Sequence, residues 1–195
     1  LWLDELFTAY FSDPAQSSLT AVFLRGTEDI HPPLYYMLVH LMSRLGGDFT
    51  VIVRGMSAVL GVAAIGVLYM TVRRDVSPGA RAFACAFAST SWGGWWHVQE
   101  GRSYALCFFL GSIITALALR VQRQLTQDRI DYKTLGALVL VCLVGAFVHY
   151  YMLLLAGGVF GYLLFTVAWW RARGETRWTW RGPGGGPPSW CHMGG

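Results

Sequence analysis

The longest uncharged stretch of this sequence lies towards its C-terminal end. Residues 134–170 form a run of 37 residues that contains no Asp, Glu, Lys or Arg. A helix needs about 20 residues to cross a bilayer, so this run is long enough for two crossings joined by a tight turn. No Gly or Pro marks the turn, and we place it where polar and interfacial side chains cluster, at His149, Tyr150 and Tyr151.

Three further uncharged runs precede this one, at residues 55–72, 82–99 and 103–119. The whole chain is 13% charged, about half the fraction that is usual in soluble domains. The runs predict five transmembrane helices, at about residues 51–72, 82–99, 103–120, 131–149 and 151–170. We therefore expect an all-α, integral and multi-pass membrane protein.

The charges between these runs predict the orientation of the chain. Lys and Arg concentrate in three segments, at residues 73–81, at residues 120–133 and after Trp170. Short loops rich in Lys and Arg stay on the cytoplasmic side of a membrane, and five alternating spans place all three segments there. Residues 1–50 and the hairpin at 99–102 are then outside. If the native N-terminus is cytoplasmic, this location requires an odd number of spans before Leu1, most simply one.

Residues 34–45 have the periodicity of a short amphipathic helix. Apolar side chains recur there at helical spacing, at Leu34, Met37, Leu38, Leu41, Met42 and Leu45. A helix of this length reaches only about 18 Å, too little to cross a bilayer, and it fits a juxtamembrane helix that lies on the membrane surface. We expect its apolar stripe to face lipid or the core of the domain. A second short helix, at about residues 3–12, is expected to end before Pro14.

The remaining composition narrows the class of protein. The basic residues form no long stripe, which argues against nucleic acid as a partner. Three of the four cysteines lie inside apolar runs, and their spacing matches neither a disulfide framework nor a zinc site. Residues 173–195 are rich in Gly and Pro, so we expect a disordered or non-native tail after a membrane domain at residues 1–172.

Asp4 and Glu5 are the first candidates for chemistry. Two adjacent carboxylates at the outer edge of a membrane are costly unless they are solvated or used. One interpretation is a general base that deprotonates an acceptor hydroxyl, or a ligand of a divalent metal ion. The other is a favourable pair of acids in the first turn of a helix. The sequence itself does not support a metal, and it leaves any cofactor unknown.

A second candidate segment runs from Glu28 to Tyr36 and contains His31 and Tyr35. The Pro32–Pro33 pair stiffens the chain as it enters the surface helix, so acid and imidazole side chains beside it are held in a fixed place. These side chains line a substrate groove, or they belong to a rigid loop with solvated charges.

The outer hairpin carries Glu100, Arg102 and Tyr104. An arginine at this depth grips a phosphate with two N–H groups, or it reaches up to the interface while its stem stays in lipid. Tyr104 and the turn residue His149 line a groove, or they belong to the aromatic belt of a membrane interface. All of these candidates fall on one side of the membrane in the predicted topology.

Four segments of the sequence, taken together, resemble the GT-C type membrane glycosyltransferases. The narrower resemblance is to glycosyltransferase family 39, the protein-mannosyltransferase and aminoarabinose-transferase superfamily, and to its RgtA/B/C/D-like branch. The matching segments run in order over about residues 1–170, at Asp4–Glu5, His31–Tyr36, Arg54–Ala58 and Gln99–Leu106. The ordered set is specific to the superfamily but not to a substrate. Gly55 departs from the apolar residue that is usual at that position.

The resemblance implies a GT-C-like helical bundle, of which this chain is a fragment, in a bacterial plasma membrane. It implies transfer of a sugar from a polyprenyl-phosphate donor to a lipid, glycan or protein acceptor on the non-cytoplasmic face. Asp4 is then the base, with Glu5 second, and Arg102 and Arg54 are candidates for the leaving phosphate. The remaining substrate-binding candidates are His31, Tyr35, Glu100, Tyr104 and His149.

A transporter component is the alternative function. Transporters tend to place ionisable residues and broken helices near the membrane midplane. The centres of all five predicted spans lack Asp, Glu, Lys and Arg, and the polar candidates gather at one surface. This pattern favours chemistry at the surface over conduction.

Overall fold

The computed structural model describes residues 3–13, 15, 18–73, 75–91, 101–127 and 130–172. Over these residues all regular structure is helical, which confirms the expected all-α fold. The helices are α1 (Leu3–Phe11), α2 (Leu19–Gly26), α3 (Leu34–Ser43), α4 (Phe49–Thr71), α5 (Pro78–Thr90), α6 (Tyr104–Thr126), α7 (Tyr132–Ala146) and α8 (Tyr151–Ala172). The tail expected at 173–195 lies outside the described residues.

Three of these helices, α4, α6 and α8, are long and apolar enough to cross a membrane. They coincide with the first, third and fifth predicted spans. Helix α7 covers the fourth predicted span with 15 residues, fewer than a full crossing needs. Helix α5 covers the start of the second with 13 residues, and the end of that span lies outside the described residues. The count of five spans stays a prediction.

The ends of the membrane helices are set by local chemistry. Asp48 caps α4 by accepting a hydrogen bond from the Val51 N–H at 3.0 Å. Ser77 caps α5 at Ala80 in the same way. Such caps satisfy N–H groups that the first turn of a helix leaves without intrahelical partners. Between α3 and α4 the chain turns through Gly46 and Gly47, whose φ angles of 83° and 112° disfavour any residue with a Cβ.

Helix α6 lies at the centre of the bundle, and α4, α7 and α8 all pack along it. The buried side of α4 carries the small residues Ser57, Gly61 and Ala64, which let two helix backbones approach closely. Large apolar side chains point outward, as Val62 does with 73% of its surface exposed. An apolar exterior of this kind suits lipid as the surrounding solvent.

Helices α1, α2 and α3 form a compact layer before the first long helix. His40 of α3 is fully buried, and its Nδ1 lies 3.3 Å from the Ser12 carbonyl oxygen and 3.1 Å from that of Asp13. These carbonyls follow the end of α1, so His40 ties α1 to α3. Gly26 ends α2 at a point where an added Cβ would lie 2.9 Å from the Cβ of Pro33.

The surface helix predicted over residues 34–45 is α3, which ends two residues earlier. It buries a face that consists of three aromatic rings and one valine, at Tyr35, Tyr36, His40 and Val39. The predicted apolar stripe is divided: Leu34, Met37 and Leu38 are partly buried against the core, whereas Leu41 is 43% exposed and Leu45, just beyond the helix, is 80% exposed. The structure thus packs the first part of the stripe against the core of the domain and leaves its last part exposed, and contact of that last part with lipid stays a prediction.

Candidate active site

Glu5, in the first turns of α1, has only 2% of its surface exposed. Its two carboxylate oxygens accept hydrogen bonds from Arg54 of α4, at 3.2 Å from Nε and 3.0 Å from Nη2. The backbone N–H of Gly101 donates another hydrogen bond to Oε1 at 3.0 Å. Glu5 thereby ties α1 to α4 and to the segment before α6. We call Glu5, Arg54 and Gly101 the Glu5 clamp.

The clamp pairs two residues that the sequence put forward for separate roles. Glu5 was expected as a second catalytic carboxylate and Arg54 as a ligand of the leaving phosphate. A carboxylate that accepts bonds from a guanidinium and a backbone N–H has lone pairs already in use, and the guanidinium has two of its N–H groups engaged. The geometry favours a positioning role for both residues.

Asp4 directly precedes Glu5 in α1, and only its backbone is described. Successive positions on a helix lie about 100° apart around its axis. Position 4 therefore does not share the direction from which Glu5 meets Arg54. The clamp holds the helix that carries Asp4 against α4.

A narrow cleft lies beside the clamp, where the segments before α3, α6 and α8 meet. Its lining residues come from these three segments and from the first turn of α3: His31, Pro32, Tyr35, Tyr36, Arg102, Ser103 and Val148. The cleft is closed in this conformation and has no room for a water molecule. It brings together three predicted site residues, His31, Tyr35 and Arg102, that are far apart in the chain.

Aromatic rings extend the cleft towards the start of α8. The imidazoles of His31 and His149 meet edge to face, with ring centroids 4.8 Å apart. His149 also stacks on Tyr151 at 4.7 Å and lies 6.0 Å from the ring of Tyr104. Nδ1 of His31 is buried and makes no hydrogen bond within the described residues. A buried nitrogen of this kind is normally satisfied by water or a ligand.

Two buried tyrosines close the floor of the cleft, each 2% exposed. Burial raises the pKa of Tyr35 well above its ordinary value, and the neighbouring Tyr36 raises it further. Burial also raises the pKa of Tyr36, whose hydroxyl donates a hydrogen bond to Asp29. Both hydroxyls therefore stay protonated at any physiological pH. Tyr36 and Asp29 both lie in the candidate segment from Glu28 to Tyr36. No sequence pattern, however, indicates that these two side chains form a hydrogen bond with each other.

Glu100, also predicted for this site, lies outside the described residues. Among the residues whose side chains are described, no three His, Cys, Asp or Glu side chains group as metal ligands would. The Asp4 side chain does not belong to that set.

An apolar groove of about 340 Å³ adjoins the cleft. It lies between α2, α3 and the end of α7 and is lined by Phe23, Pro33, Leu34, Met37, Leu143, Val144 and Phe147. The Leu34 N–H donates a hydrogen bond to the Phe147 carbonyl at 3.3 Å, which joins the two sides of the groove. Pro32 and Val148 line the cleft, and their chain neighbours Pro33 and Phe147 line the groove. A polar cleft and an apolar groove thus share two walls.

Comparison with known proteins yields one family. Residues 30–183 match the family described as dolichyl-phosphate-mannose-protein mannosyltransferase. The match covers the cleft residues and begins after Asp4 and Glu5. Searches of curated proteins and of solved structures gave no match. Because that family model matches most of its length, the chain belongs to the family so described and is a GT-C type membrane glycosyltransferase.

Proposed function

We propose that the chain transfers a sugar from a polyprenyl-phosphate donor to a hydroxyl of a lipid, glycan or protein acceptor on the non-cytoplasmic face. One observation carries this proposal. The cleft with His31 and Arg102 shares its walls with an apolar groove. A lipid phosphate is an amphiphile that needs a cationic site for its head next to an apolar site for its chain.

In the proposed reaction the acceptor oxygen attacks the anomeric carbon of the donor. The bond from that carbon to the phosphate oxygen breaks, and the phosphate leaves with the electron pair. Asp4 takes the proton of the acceptor hydroxyl as the general base. Arg102 balances the charge that develops on the phosphate. A single displacement of this kind inverts the configuration at the anomeric carbon.

The remaining predicted residues take supporting parts in this scheme. The Glu5 clamp holds α1, with Asp4, against α4 and the segment of Arg102. His31 and Tyr35 line the cleft, which has to open from its closed conformation to admit the donor phosphate. Tyr104 and His149 form its aromatic extension. Glu100 stays a predicted substrate-binding residue.

A transporter role is less well supported by the described residues. The three helices of crossing length carry their Arg residues near their ends, at Arg54, Arg120, Arg123 and Arg171, and no Asp, Glu or Lys. The polar side chains gather instead at the cleft before α3, α6 and α8. This distribution suits a reaction at the membrane surface better than an ion or solute pathway.

The test is donor selection by membranes that contain the protein. We expect transfer of radiolabelled sugar from a polyprenyl-phosphate sugar and none from the corresponding nucleotide sugar. Membranes without the protein are the control. Transfer from the nucleotide sugar in the absence of any lipid-linked donor would contradict the proposal.

A further inference from the structure

His149 lies two residues before the first residue of α8, and its side chain caps the first N–H group of that helix. Its Nδ1 accepts a hydrogen bond from the backbone N–H of Tyr151 at 3.2 Å. Side chains of Asn, Asp and Ser commonly accept such a bond at a helix start. A ring nitrogen that accepts a hydrogen bond carries a lone pair, so the single proton of the neutral imidazole must be on Nε2.

The surroundings of this ring disfavour a positive charge. His149 is 6% exposed, and burial is the main cause that lowers its pKa, followed by the nearby His31 and Arg102. The N-terminus of α8, which carries partial positive charge, acts in the same direction. The ionisable groups that face it come from three elements: His31 before α3, Arg102 and Tyr104 at the start of α6, and Tyr151 in α8.

Protonation would also break the cap. A second proton would have to enter at Nδ1, where the Tyr151 N–H already points. Nε2 makes no hydrogen bond to any residue in the described part of the chain. The ring is therefore a fixed, neutral donor beside His31, which lines the cleft.

We propose that His149 binds the donor phosphate as a neutral hydrogen-bond donor, through Nε2–H, and is neither a general base nor a cation in this site. This inference rests on the proposed function, because it assumes a phosphate in the cleft beside Arg102. Arg102 then supplies the charge, and His149 supplies a directed N–H group. Binding through His149 requires no proton uptake near neutral pH.

The tautomer can be measured without any ligand. Protein with ¹⁵N-labelled histidine, in detergent or in nanodiscs, gives distinct nitrogen shifts for the two neutral tautomers and for imidazolium. The spectrum of His149→Asn identifies the His149 signal. We expect the Nε2–H tautomer, still neutral at pH 6.5, where an exposed histidine is half protonated. An Nδ1–H tautomer or an imidazolium signal at that pH would overturn the inference.

Two matched variants separate donation from capping. His149→Asn keeps a side-chain oxygen that can cap α8 but does not reach as far as Nε2. His149→Gln keeps an N–H₂ group near the place of Nε2 but caps poorly. A role in capping alone makes Asn the milder change, whereas donation to phosphate makes Gln the milder change. Tyr150→Phe, at an exposed neighbouring position, is the control.

The readout is binding of decaprenyl phosphate to protein in nanodiscs, with inorganic phosphate as a second probe. A hydrogen bond to a charged group corresponds to about 10- to 100-fold in affinity. We expect His149→Asn to lose that much for decaprenyl phosphate and His149→Gln to lose clearly less. Competition by inorganic phosphate alone would show that the cleft recognises the phosphate without the lipid.

The outcomes distinguish this inference from the proposed function. If the unaltered protein does not bind decaprenyl phosphate, the proposed function is wrong, whatever the tautomer. If the unaltered protein binds it and His149→Asn binds it equally well, only the role of His149 is wrong. A variant that fails to fold leaves the tautomer measurement on the unaltered protein to decide.

Discussion

Glu5 and Arg54 share a bidentate ion pair in which 44% of the arginine side chain is exposed but only 2% of the carboxylate. Arg54→Ala removes two hydrogen bonds from a buried charge. Bonds to charged groups contribute about 1.5–3 kcal/mol. Because solvent screens the exposed side of the pair, we expect the free energy of unfolding in detergent to fall by about 2 kcal/mol.

Arg44→Ala is the matched control for this change, since Arg44 is exposed at the end of α3. Surface substitutions of that kind usually stay within about 0.5 kcal/mol. Equal stability of the two variants would contradict the clamp.

Gly101 donates its backbone N–H to Glu5 in the Glu5 clamp. An added Cβ there would lie 2.8 Å from Cγ1 of Val53 and 3.4 Å from Oε1 of Glu5. Gly101→Ala must push the segment of Arg102 away from α4, and overpacking of this kind costs about 1–3 kcal/mol. Thermal unfolding should show the loss, and Val53→Ala should restore part of it. Gly136→Ala, where nothing lies within 4 Å, is the control and should not destabilise the protein.

Arg102 is the proposed contact for the leaving phosphate. Arg102→Ala should raise the KM for the lipid-linked donor by about 10- to 100-fold, the effect of losing a charged hydrogen-bonding partner. Arg102→Lys should rescue only part of this loss, because lysine lacks the planar fork of N–H groups. Steady-state kinetics in membranes measure both. An unchanged KM in Arg102→Ala would remove Arg102 from the phosphate site.

At the scale of elements, α3 shows what periodicity predicts and what it does not. The spacing of Leu34 to Leu45 predicts a helix, and α3 is there. The buried face is the one with Tyr36 and His40. In a soluble domain the apolar stripe would be the buried face, but next to a membrane apolar side chains can face lipid and polar ones can face the protein. Periodicity alone does not distinguish these two solvents.

The exposed last part of the α3 stripe, Leu41 and Leu45, leads to a prediction about labelling. A cysteine introduced at Leu41 or Leu45 should react with a lipid-soluble maleimide and only slowly with a charged one, because both positions are expected to face lipid. A cysteine at Glu28, which is exposed, should react with both reagents. Rapid labelling of position 41 by the charged reagent would show that the stripe faces water.

The contacts that build the site lie beyond sequence reasoning for a physical reason. Glu5 and Arg54 are 49 residues apart, and neither helix pattern indicates a partner. Their pairing follows from the way α1 docks on α4, which is a tertiary event. His31, Arg102 and His149 could be chosen as polar residues of outer segments, but their meeting in one cleft required the packing of α6 against α4 and α8.

On the scale of the whole molecule, the sequence predicted the fold class well. Uncharged runs located the three helices of crossing length. The turn predicted at His149 lies between the end of α7 at Ala146 and the start of α8 at Tyr151. The second and fourth predicted spans stay predictions, because the helices that cover them, α5 and α7, have only 13 and 15 residues.

The predicted orientation is tested by labelling in intact cells. An impermeant reagent should leave a cysteine at Ser77 unlabelled, since this loop belongs to the basic, cytoplasmic set. A cysteine at Glu28 should be labelled in the same cells, and Ser77→Cys should become reactive once the cells are broken. Labelling of position 77 in intact cells would overturn the topology and the outer location of the site.

The most direct test of the whole account is the rate of transfer by Asp4→Asn. This change keeps the shape of the side chain and removes the proposed base, and general base catalysis contributes about 10²–10⁴-fold. In membranes with normal protein levels, we predict that sugar transfer from the polyprenyl-phosphate donor falls by that factor, while decaprenyl phosphate still binds. Full activity in Asp4→Asn would remove Asp4 from the mechanism, and full activity in the Asp4→Asn, Glu5→Gln double variant would remove α1 from the active site.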